Sequence, residues 1–79
     1  MSNDVKSRIF EVVCECANNI PEDTAFNLRE AGIIDSLSMM NIMASLEDEF
    51  DIEFDPKDMT KDNFASIDTM SELVSRYLD

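Results

Sequence analysis

A single glycine, Gly32, and two prolines serve a chain of 79 residues. A many-stranded β fold needs turn residues roughly every 8–12 positions, and this chain has too few of them. Its apolar residues must therefore be organised on helices. From Asp4 to Asn18 that organisation is plain: Val5, Ile9, Phe10, Val12, Val13, Cys16 and Ala17 share one face at helical spacing. Asp4, Ser7, Arg8, Glu11, Glu15 and Asn18 take the other face, and only Lys6 intrudes, where its long stem can reach water.

The period is lost over residues 19–35. Pro21 disfavours helix at Ile20 and lacks an N–H. Phe26, Leu28 and Ile33 read as anchors pinning a long loop to the core, and Gly32 as a turn or cap with positive φ. A loop this long in so small a domain usually has a functional reason. A second helix is predicted over 36–50, its core stripe Met39, Ile42, Met43, Leu46 and Phe50. Asp51-Ile52-Glu53-Phe54 is a connector with Ile52 and Phe54 inward. Asp55-Pro56 reads as a cap and first residue of a short helical turn. Asp68 is the expected N-cap of a last helix that buries Met70, Leu73, Val74, Tyr77 and Leu78. The expected fold is all-α: one domain over 1–79, a small bundle of three main helices plus one short helix, with a long loop between helices one and two.

Charge narrows the choice of partner. Eighteen acids against six bases give a net charge of -12, which repels nucleic-acid phosphates and suits protein partners with basic docking sites. Acidity could equally serve solubility alone. No apolar run is long enough to span a bilayer and no signal-peptide pattern opens the chain, so a cytoplasmic monomer without membrane insertion is expected. Cys14 and Cys16, two apart on a helix, point too far apart for a disulfide, and no histidine is present to complete a zinc site. Both are expected as reduced thiols, Cys16 in the core and Cys14 nearer its edge.

The informative stretch is Gly32-Ile33-Ile34-Asp35-Ser36-Leu37, where loop gives way to amphipathic helix. Ser36 there lies beside the positive end of the helix dipole, with unpaired N–H groups nearby that favour a phosphate ester. Read from the junction alone, Asp35 or Ser36 could simply be the N-cap. The second helix also places Leu37, Met40 and Ala44 on a strip beside its core stripe, flanked by Glu47 and Asp48. An apolar strip ringed by acids suits docking into a basic groove, although these residues could also just widen the core face. With no histidine, a serine–histidine triad cannot form. An EF-hand reading of Asp51, Glu53 and Asp55 fails where Pro56 replaces the needed glycine and Asp62 the terminal glutamate, so no metal is expected. Met39, Met43, Met59 and Met70 fit ordinary gap-filling, or a soft interior that could open for an apolar chain.

Asp35-Ser36-Leu37, then Leu46-Glu47-Asp48-Glu49-Phe50-Asp51-Ile52, then Asn63-Phe64-Ala65-Ser66-Ile67-Asp68-Thr69-Met70 resemble, in order and spacing, the acyl and peptidyl carrier proteins. The resemblance covers essentially the whole chain. It implies that Ser36 receives 4′-phosphopantetheine from coenzyme A through a phosphopantetheinyl transferase, with Asp35 and Leu37 as flanking motif residues. It also implies that an acyl or aminoacyl group rides on the arm as a thioester between loading and transferring enzymes, docked through the second helix. The protein would then be a covalent carrier and not itself an enzyme. Gly32 lies three residues before Asp35 and is followed by two isoleucines, whereas fatty-acid carriers usually place glycine two before the Asp-Ser pair. That arrangement is more like the D-alanyl carriers and other stand-alone carriers.

Overall fold

In the computed structural model, the backbone is described for residues 2–78 and the side chains for residues 5–78. Three α-helices occur in the described residues, α1 (Ser2–Cys16), α2 (Ser36–Phe50) and α3 (Ile67–Leu78), with a 3₁₀ turn at Pro56–Asp58. No strand occurs among the described residues. The all-α expectation holds. α1 packs against both α2 and α3. Its buried ridge is Ile9, Val12 and Val13, while Val5, Phe10 and Cys16 pack around the core half-covered. α1 ends at Cys16, earlier than the expected Asn18, and Asn19 turns the chain with φ 61°. The side chain of Asp4, expected on the polar face, lies outside the described residues.

The long loop is pinned by two of its three expected anchors, Leu28 and Ile33. Phe26 is 40% exposed, so it anchors nothing, whereas Leu28 and Ile34 are each 1% exposed and Ile33 is half-buried. The backbone explains why Leu28 wins. Its N–H donates to the Ala65 carbonyl at 2.7 Å, and its carbonyl accepts from Ile33 and Ile34 at 3.0 and 3.2 Å. Gly32 has φ 77°, and a Cβ there would meet nothing within 4 Å. The need for glycine is thus purely one of backbone conformation.

α3 corrects two further expectations. Its cap is Ser66, not Asp68. Ser66 Oγ accepts from Thr69 N–H at 3.2 Å, and Thr69 Oγ1 accepts from Ser66 N–H at 3.0 Å, a reciprocal capping box. Asp68 falls inside the first turn, where its carboxylate is 2.9 Å from Lys6 Nζ, off the ideal hydrogen-bond direction. That ammonium first, and the Thr24 hydroxyl second, hold the carboxyl below the usual carboxylate range. Asp68 thereby ties the loop and α1 to α3; its N–H also donates to the Thr24 carbonyl at 2.9 Å. Leu78, expected in the core, is 46% exposed at the helix end. Met70, Leu73 and Val74 are buried as expected, and Tyr77 is half-buried.

The connector after α2 is held by side chains, since it forms no sheet. Phe54 is buried and meets Phe64 and Tyr77 edge-on, with centroids at 5.5 and 5.2 Å. Tyr77 accepts from Asp55 N–H at 2.8 Å and donates to Asp58 Oδ2 at 2.6 Å. The Asp58 bond favours the protonated phenol and pushes its pKa up. Asp55 caps the 3₁₀ turn as expected, accepting from Lys57 N–H at 3.0 Å with Pro56 next in line.

Candidate functional site

Residue by residue, the candidate site is the start of α2. Asp35 is extended (φ -102°, ψ -172°) and its carboxylate accepts from Ser38 N–H at 2.8 Å, so Asp35 is the N-cap and Ser36 the first helical residue. The alternative of Ser36 as cap is thereby ruled out. The Ser38 N–H first, then the Ser38 hydroxyl, hold the Asp35 carboxyl below its ordinary range, with the Leu37 N–H adding less. Ser36 is exposed. The buried Ile34 holds the chain just before this cap against the core. The first turn of α2 therefore carries an exposed serine beside a carboxylate that is already engaged as the cap.

Beyond Ser36 the helix divides by face. Ile42, Met43, Leu46 and Phe50 are buried, and Met39 is half-buried against them. On the other side Leu37 is 69% exposed and Met40 64%, the two most exposed large apolar residues described. Ala44 and Asp48 are exposed too. Widening of the core face, the bland reading of this strip, does not fit, because none of Leu37, Met40 or Ala44 is buried. Glu47 stands apart. It is half-buried and its Oε2 accepts from Phe54 N–H at 2.8 Å, so its carboxylate fastens the connector. Sequence spacing could not separate Glu47 from Asp48, since the bond depends on the path the chain takes seven residues later.

Two acids of the failed EF-hand reading have other work. Asp51 ends α2 in the left-handed conformation (φ 54°), its N–H donating to the Glu47 carbonyl, and Asp55 caps the 3₁₀ turn. Among the described residues no three His, Cys, Asp or Glu side chains gather as a metal-holding group, and no helix is long and apolar enough to cross a membrane. Cys14 is exposed and Cys16 half-buried against the core, both as free thiols, so Cys14 lies further out than the expected core edge.

Compared with known protein families, residues 7–74 match the phosphopantetheine attachment site family. The chain belongs to that family. Its members carry 4′-phosphopantetheine covalently on a serine, and the domain is a carrier of acyl groups, not a catalyst. Neither curated proteins nor solved structures gave a match. The residues at the start of α2 fit the phosphopantetheine group of this family. An exposed hydroxyl on the first turn of a helix has room for an arm, and the chain's lack of histidine leaves no imidazole to attack a thioester.

Proposed function

We propose that Ser36 is the serine that carries the arm, and that the protein shuttles an acyl or aminoacyl group between enzymes of a biosynthetic pathway. The observation that carries this reading is the placement of an exposed Ser36 one residue after the cap of α2. When bound, phosphopantetheine supplies a terminal thiol that holds the cargo as a thioester. Everything else falls to the protein: Ile34 and Asp35 fix the hydroxyl in space, and Leu37 and Met40 offer an apolar landing beside it. A phosphopantetheinyl transferase is the partner that installs the arm, the Ser36 hydroxyl displacing the 3′,5′-adenosine diphosphate portion of coenzyme A. Loading and transferring enzymes follow as partners.

Docking is assigned to Leu37, Met40, Ala44 and Asp48. Leu37 is the apolar anchor and Asp48 a rim charge that steers encounter with a basic groove. Glu47 contributes charge to that rim only as far as its bond to Phe54 allows. The run Gly32-Ile33-Ile34 supports a stand-alone carrier of a specialised pathway, as in D-alanyl carriers.

Thiol counting tests the carrier reading. The unfolded protein has the two free thiols of Cys14 and Cys16. After incubation with coenzyme A and a broad-specificity transferase, removal of small molecules and unfolding, a third thiol is expected in wild type and none extra in Ser36→Ala. An unchanged count for folded wild type across several transferases rejects the assignment.

A further inference from the structure

Two neighbouring methionines on α2 meet opposite surroundings. Met39 is half-buried against the core, while Met40 is 64% exposed. One helical step of about 100° separates them. The other described methionines are also covered: Met43 and Met70 are buried, and Met59 packs half-buried against the core. Among the described residues, Met40 is thus the one thioether that stands open to water. It shares its strip with exposed Leu37 and Ala44, one turn before it and one turn after.

Of the side chains on that strip, only the thioether can be changed by dissolved peroxide. The sulfur lone pair attacks one peroxide oxygen, and the S–O bond forms as the O–O bond breaks. The other oxygen departs as water, taking the proton of the oxygen transferred. Sulfur is oxidised by two electrons to the sulfoxide, and the peroxide is reduced. An apolar, flexible side chain becomes a polar, chiral one. In a docked interface the new oxygen demands a hydrogen-bond partner, which a groove fitted to Leu37 and a thioether does not supply.

We infer that Met40 is an oxidation site through which hydrogen peroxide weakens docking of α2, and that enzymatic reduction of the sulfoxide by a dithiol restores it. The inference rests on the docking role proposed for Leu37 and Met40. Because Met40 lies outside the core, its oxidation acts on recognition and spares the fold.

The test treats folded wild type with dilute hydrogen peroxide, then returns Cys14 and Cys16 to thiols with dithiothreitol, which leaves a sulfoxide in place. Peptide fragmentation by mass spectrometry locates the added oxygen, and circular dichroism follows helicity. Docking is read as kcat/KM for arm installation by a phosphopantetheinyl transferase. Within residues 5–78 the first oxygen is expected on Met40, with helicity unchanged. kcat/KM should fall about fivefold, the scale of losing one effective interface contact. Methionine sulfoxide reductases for both epimers should restore it. Met40→Leu, compared with its own untreated sample, should lose nothing on treatment. Oxygen placed first on Met39, Met43, Met59 or Met70 overturns the inference, as does a treated Met40→Leu that slows as wild type does. Unoxidised Leu37→Ala separates the inference from the reading beneath it. If that variant loads slowly while the Met40 sulfoxide loads at the untreated rate, the strip docks and Met40 is no switch. If both load at the untreated wild-type rate, the docking role itself falls. Failure of untreated wild type to load at all rejects the carrier reading, and the inference with it.

Discussion

The two ends of α2 are built on opposite terms. At its start, Ser36, Leu37 and Met40 are exposed, and Asp35 secures the first turn only to itself. At its end, three separate fastenings converge. Arg8 donates from Nε to the Glu49 carboxylate and from a terminal nitrogen to the Glu49 carbonyl, both at 2.9 Å, and lies 4.4 Å from the Phe50 ring centroid. Glu47 accepts from Phe54 N–H at 2.8 Å, and Asp51 closes the helix in the left-handed conformation. A helix bolted at one end and bare at the other can present a serine without giving up its own position. The difference teaches that stability and recognition occupy separate turns of one helix, so each can be altered alone.

The same substitution at the two ends should show the largest contrast. Leu46 is fully buried, so Leu46→Ala should lose about 3 kcal/mol through lost burial and the cavity left behind. Leu37, mostly exposed, should change stability by under about 0.5 kcal/mol when cut to alanine. Urea unfolding checks both. Equal losses would erase the distinction between the two ends. Glu47 and Asp48 sharpen it next. Glu47→Ala leaves the buried connector short of a charged acceptor and should lose about 1–2 kcal/mol, whereas exposed Asp48→Ala should be near neutral. In partner kinetics Asp48→Lys should slow association with a salt-dependent deficit, and Leu37→Ala should speed dissociation.

Arg8→Ala comes after these, at about 1 kcal/mol, because both partners are partly exposed and the ion pair is screened. Melting in rising salt should shrink the ionic part of that loss and spare the contribution of the Phe50 ring contact. The smallest effect is at the bare end, and pH reveals it. The Asp35 carboxyl is lowered in the folded protein, chiefly by the Ser38 N–H. Its contribution is therefore complete above the ordinary value of 3.8 and fades as pH falls through the lowered one. The stability gap between wild type and Asp35→Asn should close over that acidic window and stay constant above it. A gap that widens on acidification would contradict the cap geometry.

What the sequence revealed follows from how local each cause is. The bounds of α2 were legible because an apolar stripe and an Asp cap coincide within one stretch, and Gly32 because its φ is a property of one residue. The cap of α3 was not. Ser66 and Asp68 are both good capping types, and what decides is that Asp68 is drawn to Lys6 and Thr24, residues far off in the chain. Phe26 and Leu28 both read as anchors, yet only Leu28 is buried, its N–H donating to the Ala65 carbonyl. For the candidate site, exposure of Leu37 and Met40 agreed with the spacing, while the engagement of Glu47 by Phe54 and of Asp35 by Ser38 needed backbone positions that spacing does not give.

All of this converges on one hydroxyl, and intact mass measures it directly. Wild-type protein incubated with coenzyme A and a phosphopantetheinyl transferase should gain the mass of a single phosphopantetheinyl group, carried on the tryptic or other peptide containing Ser36. Ser36→Ala, folded to the same helicity, should gain none, as the side chain is exposed and its loss leaves the Asp35 cap in place. A group found on another serine, or an equal gain in Ser36→Ala, would contradict the account.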